Sequence, residues 1–374
     1  MNEKYWVALS SIEEISSQFI IKLFNEFGGI RQVFEAEGLA YSNIEGITKN
    51  KFDKFLKLRD SVDIDKVYDY VLERDIKVIT FENPNYPKML KNIDNPPAVL
   101  YYRGDLSVCN LEKTLAVIGS RRLSRNGKDS LRKIMKDFYN TDMCIVSGLA
   151  TGADTSAHEF ALENNLKTIG VIGSGLNHVY PAQNKDLYKN IINGNGVVMS
   201  EYYPTFEPLP FRFPQRNRIV SGLSYGTLVV EAALKSGALI TANLTLEQGR
   251  ELMCIPGLIT NPNTEGVYKL LKTGATIVTN GDDVLETMGW EKILQQNLFN
   301  QTGSSVTEGE ENNKNNEITI DEKKILYTIE LEPKSFDEIQ ALTKISTEEL
   351  LMALTKLELD GKIELNLGDR YIKR

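Results

Sequence analysis

The sequence predicts an α/β protein with a doubly wound parallel sheet and a smaller helical domain on either side of it. Short apolar runs alternate with helix-length segments through the middle of the chain, which is typical of a parallel sheet covered on both faces. The segments before and after it carry apolar residues at helical spacing instead. We expect domains at 1–65, 66–290 and 318–374, with a flexible linker at 291–317.

Length and composition set the first limits. The chain has 374 residues, of which 41% are hydrophobic and 25% charged, so two or three folded domains are expected. No apolar run approaches the ~20 residues that span a bilayer, and acidic residues stand near the start, where a signal peptide is apolar. We therefore expect a cytoplasmic protein with no membrane partner. The net charge of −8 does not by itself suggest a nucleic-acid partner, but the distribution of charge matters more than its sum.

Cysteine and histidine are scarce. The three cysteines form no CxxC pair, and Cys144 and Cys254 lie in apolar runs, which predicts buried thiols. Only two histidines are present, so a zinc site is not expected. We predict no metal, no cofactor and a reducing compartment.

The first 65 residues predict short helices. Residues 16–27 have apolar side chains at helical spacing and end at Gly28 and Gly29. The turn at 44–48 places Gly46 between apolar residues, as in helix-hairpin-helix modules, whose backbone amides hold DNA phosphates. A plain helical packing domain explains the same pattern. We expect a SAM/helix-hairpin-helix-like domain whose contact with DNA stays open.

The middle of the chain predicts an extended Rossmann-like sheet. Strands are expected at 77–81 and 99–103, and then in seven apolar runs at 115–118, 144–146, 168–172, 197–199, 227–230, 252–255 and 276–278. Four of the seven, those ending at residues 118, 146, 172 and 199, are followed directly by Gly or Ser, and helix-length stretches separate the runs. Because ligands of such sheets bind at the carboxyl ends of the strands, the residues just after each strand are the candidate site.

Small residues recur at these strand ends. Such corners let backbone amides approach a phosphate, although tight turn geometry alone explains glycine there equally well. Neither a dinucleotide fingerprint nor a Walker A motif is present. The candidate corner residues are Gly119, Ser120, Ser147, Gly148, Gly173, Ser236, Gly237 and Thr241.

Basic residues follow the first of the seven runs. Seven Lys or Arg side chains lie between 121 and 136, against one acid, Asp129. A solvated basic helix face explains most of them. Arg121 differs because it stands directly at the strand-to-loop corner, where it can grip an anion bidentately.

Arginine and phenylalanine interleave at 211–218. Three arginines and two phenylalanines occur there, and no acid lies between 208 and 230. A cationic groove with aromatic platforms suits single-stranded nucleic acid. A buried Phe together with an Arg salt bridge to Glu201 would explain only two of these five residues. The candidates from this segment are Phe213, Arg216, Asn217 and Arg218.

The last segment predicts a winged helix. Helices are expected at 321–329, 335–343 and 347–360, followed by strands at 362–367 and 370–372. From residue 317 onward there are 9 basic and 13 acidic residues, a net charge of −4. Phosphate binding needs Lys and Arg, so a protein-docking or structural role is preferred to base readout.

Taken together, these motifs resemble the DNA-processing protein A family (DprA, also called Smf) over about residues 80–288. The resemblance implies a core that binds single-stranded DNA without a nucleotide cofactor, and a homodimer formed through that core. It further implies protection of incoming DNA, displacement of single-strand-binding protein and loading of the RecA recombinase in natural transformation. The motifs that carry it are Gly119-Ser120-Arg121, Ser147-Gly148-Leu149-Ala150-Thr151-Gly152-Ala153-Asp154, Phe213-Pro214-Gln215-Arg216-Asn217-Arg218-Ile219, Ser236-Gly237-Ala238-Leu239-Ile240-Thr241 and Glu247-Gln248-Gly249-Arg250.

The resemblance also implies residue roles. The DNA pocket of the family maps onto Arg121, Phe213, Arg216, Asn217 and Arg218. Its dimer contact maps onto Tyr268, Leu270, Leu271 and Ile277. The chain departs from the family pattern at Ala153, where a β-branched residue is expected.

Two enzyme functions remain as alternatives. A nucleoside monophosphate phosphoribohydrolase also uses a glycine-rich loop with a nearby Arg and Glu, and Gly226-Thr227 followed by Glu231 is similar to that arrangement. That function leaves the linker and the winged helix unexplained. A dehydrogenase that uses NAD is disfavoured by the missing fingerprint. We expect a binding and loading protein rather than an enzyme.

Overall fold

The computed structural model describes residues 2–37, 40, 44–194, 196–290, 320–329, 333–366 and 370–373. The chain divides into two units, residues 1–296 and 297–374. The expected linker at 291–317 lies outside the described residues, and the expected domain boundaries stay predictions.

Short capped helices open the first unit. Ser16, Thr48 and Asp63 each accept a hydrogen bond from a backbone amide in the first turn of the helix that follows. The helix predicted at 16–27 is confirmed. The helix at 64–72 is not predicted above, because nine residues give a short periodicity. The helices are α1 (Glu3–Ser10), α2 (Ser17–Phe27), α3 (Ile30–Glu35), α4 (Lys49–Asp60) and α5 (Ile64–Leu72).

A nine-stranded sheet forms the centre of this unit, in the order β1-β2-β6-β5-β4-β3-β7-β8-β9. Strands β3 to β9 pair in parallel, while β2 pairs antiparallel with β6 and β1 antiparallel with β2. The doubly wound Rossmann-like class and all nine predicted strands are confirmed. The strands are β1 (Lys77–Thr80), β2 (Val99–Gly104), β3 (Thr114–Ile118), β4 (Cys144–Ser147), β5 (Lys167–Val171), β6 (Val197–Ser200), β7 (Gly226–Val229), β8 (Glu251–Cys254) and β9 (Thr276–Ile277).

The strand order reverses at β3. From β3 the chain runs through β4, β5 and β6 in one direction, and it then returns to β7 on the other side of β3. The connections that leave β3 and β7 therefore diverge and open a crevice above their carboxyl ends. This topology decides where a site can form.

Helices cover both faces of the sheet. Alternate residues of β3 enter different cores: Leu115 and Val117 pack on one face, and Ala116 and Ile118 on the other. The covering helices are α6 (Lys88–Lys91), α7 (Arg125–Lys136), α8 (Ala153–Glu163), α9 (Lys185–Asn193), α10 (Arg212–Gly222), α11 (Gly237–Glu247), α12 (Glu265–Lys272) and α13 (Gly281–Thr287).

The N-terminal helices share a core with the sheet. Trp6 and Phe52 belong to the same buried cluster as Val99 and Tyr101 of β2. Trp6 is fully buried, and its indole Nε1 donates to the carboxylate of Glu82 at 3.0 Å. The helices and the sheet are therefore joined by packing as well as by the chain.

The three cysteines are free and buried, which confirms the prediction for Cys144 and Cys254. Burial raises the pKa of each thiol, that of Cys254 to about 12. Among the described residues no group of His, Cys, Asp and Glu could hold a metal ion. Within the same part of the chain, no helix combines the length and apolar character that crossing a bilayer requires.

The second unit is a winged helix, as predicted. Its core contains Ile325, Leu354 and Ile363, and a capping box joins Ser335 to Glu338. The two-residue strand β10 is not predicted above, since so short a strand has no period. The elements are α14 (Ile320–Thr328), β10 (Lys334–Ser335), α15 (Phe336–Thr343), α16 (Thr347–Leu359), β11 (Ile363–Leu365) and β12 (Arg370–Lys373), with the sheet order β10-β12-β11.

Replacing Trp6 by alanine tests whether the helices and the sheet unfold together. We expect Trp6→Ala to lower the free energy of unfolding by about 3–5 kcal/mol, because it leaves a cavity in the shared core. The measurement is denaturant unfolding followed by circular dichroism, with Tyr139→Ala as the control because Tyr139 is 64% exposed. A separate early transition for the helices would contradict a shared core.

Candidate nucleic-acid interface

A cavity of about 590 Å³ opens at the reversal point of the sheet. Its walls come from the loop after β3, the loop after β4, helix α10 and the start of helix α11. The structure brings ten of the predicted residues together in this wall. They are Gly119, Ser120, Arg121, Gly148, Phe213, Arg216, Asn217, Ser236, Gly237 and Thr241.

Three predicted residues lie elsewhere. Ser147 is fully buried, and its hydroxyl donates to the carbonyl oxygen of Val117 at 2.6 Å. Gly173 lines a smaller adjoining cavity. Arg218 lies on another side of α10, in a groove next to Glu201. The sequence places all three at strand ends or in the basic segment. The side chains of Ser147 and Arg218 bond elsewhere in the protein, and Gly173 lines the adjoining cavity instead.

Arg218 is engaged within the protein. Its Nη1 and Nη2 atoms bind the two carboxylate oxygens of Glu201 at 2.5 and 2.6 Å, and its Nε donates to the carbonyl oxygen of Asn95 at 2.7 Å. This nearly buried bidentate pair is the salt bridge that the sequence left open as the alternative. It fixes α10 to the end of β6, so Arg218 supports the cavity from behind.

Arg212 is engaged too. It is 2% exposed, and its guanidinium donates to the carboxylate of Glu13 and to the carbonyl oxygen of Glu207. The rings of Tyr202 and Phe206 lie 4.9 Å from the guanidinium carbon. The loop between α1 and α2 therefore holds the first turn of α10.

Arg216 has no such partner. It is only 4% exposed, yet no acceptor within the described part of the chain lies in hydrogen-bonding reach of its guanidinium, and its Nε is fully enclosed. Burial lowers the pKa of Arg216, and the nearby Asp154 carboxylate partly offsets this effect. A buried cation without hydrogen bonds is costly, so this side chain is arranged to receive an anion from the cavity.

Glycine at position 148 makes room for that guanidinium. A Cβ atom built on Gly148 would lie 1.8 Å from Nη1 of Arg216 and 2.5 Å from its central carbon. No other residue type fits beside Arg216 in this arrangement. The glycine is therefore required by the close approach of the arginine to the loop.

An aromatic platform stands beside Arg121 in the cavity wall. The guanidinium carbon of Arg121 lies 5.6 Å from the centre of the Phe213 ring. The centre of the Tyr180 ring lies 5.4 Å from the centre of the Phe213 ring. Gly173 leaves space for Phe213, since a Cβ there would approach the ring to 2.9 Å. A cation next to an aromatic ring that lines the cavity suits stacking of a base together with its phosphate.

The opposite wall offers backbone donors. Helix α11 begins at Gly237 after the capping residue Ser236, whose hydroxyl accepts from the amide of Ala238 at 3.2 Å. The first amides of a helix and its dipole favour an anion. Gly237 has nothing within 4 Å of a built Cβ, so this corner faces open space.

Glu231 does not face the cavity as a free carboxylate. It is buried and accepts hydrogen bonds from the amide and hydroxyl of Ser124 and from Nδ2 of Asn261, the amides lying at 3.0 and 3.1 Å. These contacts tie the start of α7 to the loop after β8. They give Glu231 a structural role in joining these two segments.

The chain matches the model of the family described as DNA recombination-mediator protein A over residues 77–289, more than half of its length. It belongs to this family. Residues 311–366 also match the family's DprA winged helix domain. The match to the larger model covers the whole sheet and the cavity.

Relatives extend the likeness beyond the core. Protein Smf of Synechocystis is 30% identical over 100% of this chain and 99% of its own. The crystal structure of DNA processing protein A from Streptococcus pneumoniae shares 35% identity, with a TM-score of 0.66 over 75% of this chain and 95% of that one. The Helicobacter pylori protein, whose structure describes its binding of single-stranded DNA, shares 30% identity, with a TM-score of 0.52 over 57% of this chain and 95% of that one.

Some residues of the cavity are not predicted from sequence. Asp154 enters above only as part of a motif, yet it lines the wall beside Arg216. Asn263 belongs to a loop after β8, and its Nδ2 donates to the carbonyl oxygen of Arg122 at 3.0 Å. Tyr180 follows β5 within a Tyr-Pro pair, which marks a turn but not a direction.

The residues to which the resemblance assigns a dimer contact differ in exposure. Leu270 is buried and Leu271 packs half-buried against the core. Tyr268 donates its hydroxyl to the carbonyl oxygen of Gly257. Ile277 is 55% exposed on β9, which is the last strand in the sheet order. Ile277 is therefore the member of this set that offers the most apolar surface.

Substituting Gly148 tests the cavity geometry. We expect Gly148→Ala to weaken binding of a single-stranded oligonucleotide at least about tenfold, because the new methyl group displaces the Arg216 guanidinium. Fluorescence anisotropy of a labelled oligonucleotide measures the change. Gly237→Ala is the matched control, since it lines the same cavity with open space around its Cβ. Equal affinities for the two variants would rule out this role of Gly148.

Proposed function

We propose that the protein binds single-stranded DNA in the cavity, with a phosphate held by Arg216 and Arg121. The observation that carries this proposal is the buried Arg216 guanidinium, which has no acceptor within the described residues and opens into the cavity. The binding of single-stranded DNA by the related Helicobacter pylori protein supports the same ligand. The site residues predicted from sequence keep this role as part of the proposal, except that Ser147 and Arg218 act as supports.

The wall chemistry favours a single strand over a duplex. A base that is free of its partner can lie on Phe213, which is worth about 1–3 kcal/mol for a stacked base. Phosphate contacts position the strand and carry no sequence information. We therefore expect a low sequence preference and strong salt dependence.

We further propose that the protein protects incoming DNA and loads RecA recombinase during natural transformation. Its family is described as a recombination mediator, and a mediator must hold the strand that the recombinase will cover. Single-strand-binding protein competes for the same strand, so it is the second partner in this proposal. The winged helix, with its net negative charge, serves protein docking or structure rather than base readout.

A role as a binding protein is preferred to that of an enzyme. Glu231, the candidate catalytic carboxylate of a phosphoribohydrolase, accepts hydrogen bonds from Ser124 and Asn261. General acid–base catalysis needs a carboxylate within reach of the substrate. Release of ribose phosphate from nucleoside monophosphates at high protein concentration would favour the enzyme instead.

The single-strand site is tested by titration. Arg121→Ala should weaken binding of a labelled single-stranded oligonucleotide about ten- to a hundredfold and make it less salt-dependent, because one charge-assisted contact is lost. An equally long duplex and two salt concentrations complete the experiment. Arg132→Ala is the matched control, since it removes the same charge from α7, where Arg132 contacts Glu163 and Phe160 and does not line the cavity. Unchanged affinity in Arg121→Ala would remove Arg121 from the site.

We also propose a homodimer that uses the edge of the sheet at β9. Ile277 is exposed there, and the other candidates, Tyr268, Leu270 and Leu271, lie on the preceding helix α12. Ile277→Glu should convert the dimer into a monomer, because it places a charge in an apolar contact without disturbing the core. Light scattering measures the molar mass, with Tyr139→Glu as the control because Tyr139 is 64% exposed and lies outside β9 and α12. A dimer that persists in Ile277→Glu would place the interface elsewhere.

A further inference from the structure

One acid stands in the wall of the cavity. Asp154 is the only Asp or Glu among the described residues that line it, and it shares that wall with Arg121, Arg122 and Arg216. It occupies the second position of α8, and its Oδ2 accepts from the amide of Ala150 at 3.2 Å. A site for phosphate groups thus contains a negative charge of its own.

This carboxylate lies near Arg216 without pairing with it. No ion pair within 4.0 Å joins Asp154 to Arg216 or to Arg121 in the described part of the chain, yet both cations stabilise its ionised form. A buried guanidinium needs some compensation when no ligand is present. Asp154 supplies that compensation at a distance, and it leaves the N–H groups of Arg216 free to take another acceptor.

We propose that Asp154 is a built-in counter-ion that competes with the phosphate of single-stranded DNA for Arg216 and Arg121, so that binding is accompanied by proton uptake. This inference rests on the proposed function, because it assumes that the cavity receives a phosphate. When the phosphate enters, it takes over compensation of the arginines and repels the carboxylate. Protonation of Asp154 removes that repulsion.

The groups that face Asp154 do not change their protonation state on binding, so Asp154 is the residue that takes up the proton. Arg121 and Arg216 stay charged, and Ser147 of β4 is neutral. His158, one turn further along α8, donates from Nδ1 to Thr168, whose own hydroxyl donates to Ile145. Burial, together with Arg216, lowers the pKa of His158 to about 3, so it stays neutral.

The sign of the pH effect follows from these charges. Burial raises the pKa of Asp154 above its ordinary value, and Arg216 acts in the opposite direction. The pKa of the buried Tyr202 is raised as well, which keeps its phenol protonated. A bound phosphate raises the pKa of Asp154 further. Affinity for DNA therefore increases as the pH falls through the range in which Asp154 gains its proton.

Asp154→Asn separates charge from structure. The amide oxygen of Asn can still accept from Ala150, so the loop keeps its hydrogen bond while the negative charge is lost. We expect this variant to bind a labelled single-stranded oligonucleotide about tenfold more tightly than wild type at about pH 7.5. Between about pH 8 and about pH 5 the affinity of wild type should rise, and that of Asp154→Asn should stay nearly constant.

A control variant changes the net charge of the protein by the same amount as Asp154→Asn does. The control is Glu163→Gln. Glu163 lies on the same helix as Asp154, its side chain is 55% exposed, and it contacts Arg132 and does not line the cavity. It should bind and titrate like wild type. If Asp154→Asn binds no more tightly than wild type, or keeps the pH dependence of wild type, the counter-ion role is wrong.

A measurement on wild type does not depend on the folding of any variant. Calorimetric titration with the oligonucleotide in buffers of different ionisation enthalpy gives the number of protons taken up on binding. Net uptake on the acidic side of neutrality is expected, and zero or net release would overturn the proposal. Two outcomes separate this inference from the proposed function. If wild type binds no single-stranded DNA and Arg216→Met changes nothing, the proposed function itself fails. If Arg216→Met abolishes binding while proton uptake by wild type is zero, only the role of Asp154 fails.

Discussion

A guanidinium buried against a glycine is the contact on which the cavity depends. Arg216 enters the wall only because Gly148 has no side chain, and Gly148 lies there because β4 ends beside β3 at the reversal point of the sheet. The arginine is enclosed and has no acceptor within the described residues. Its desolvation is offset only in part by Asp154, so the site is electrostatically incomplete without an anion.

The arginines of helix α10 have different roles, although they lie in one short basic segment. Arg212 and Arg218 are held by Glu13 and Glu201, and together they fix the helix to the N-terminal loop and to β6. Because these two are held, Phe213 and Arg216 have defined positions between them. The N-terminal helices thereby contribute to the geometry of the cavity through Glu13.

The overall negative charge is compatible with an anionic ligand because the charges are separated. Among the described residues that line the cavity, three arginines stand with a single acid. On the outer face of α7, Lys128 and Arg132 are balanced by Glu159 and Glu163 of α8. The local potential of the crevice, rather than the net charge of −8, is what a strand would meet.

Much of the fold follows from local patterns in the sequence. The nine strands of the main sheet are marked by short apolar runs, and the winged helix by three helices followed by two strands. Short elements such as α5 and β10 are not marked, because a few residues cannot establish a period. The strand-end rule also predicts the place of the cavity, since parallel strands bring their carboxyl ends to one edge.

The sequence by itself therefore determined the fold class, the edge of the sheet that carries the site and ten residues of the cavity wall. Only the tertiary structure decided which arginine is free. Arg212, Arg216 and Arg218 have the same side chain within seven positions, and their roles differ because Glu13 and Glu201 reach two of them from elements distant in sequence. The presence of Asp154 beside Arg216 has the same origin, since it depends on the sheet bringing the start of α8 and helix α10 to the same cavity wall. Residue type sets what a side chain can bind, but the distance to its nearest partner decides whether it is available.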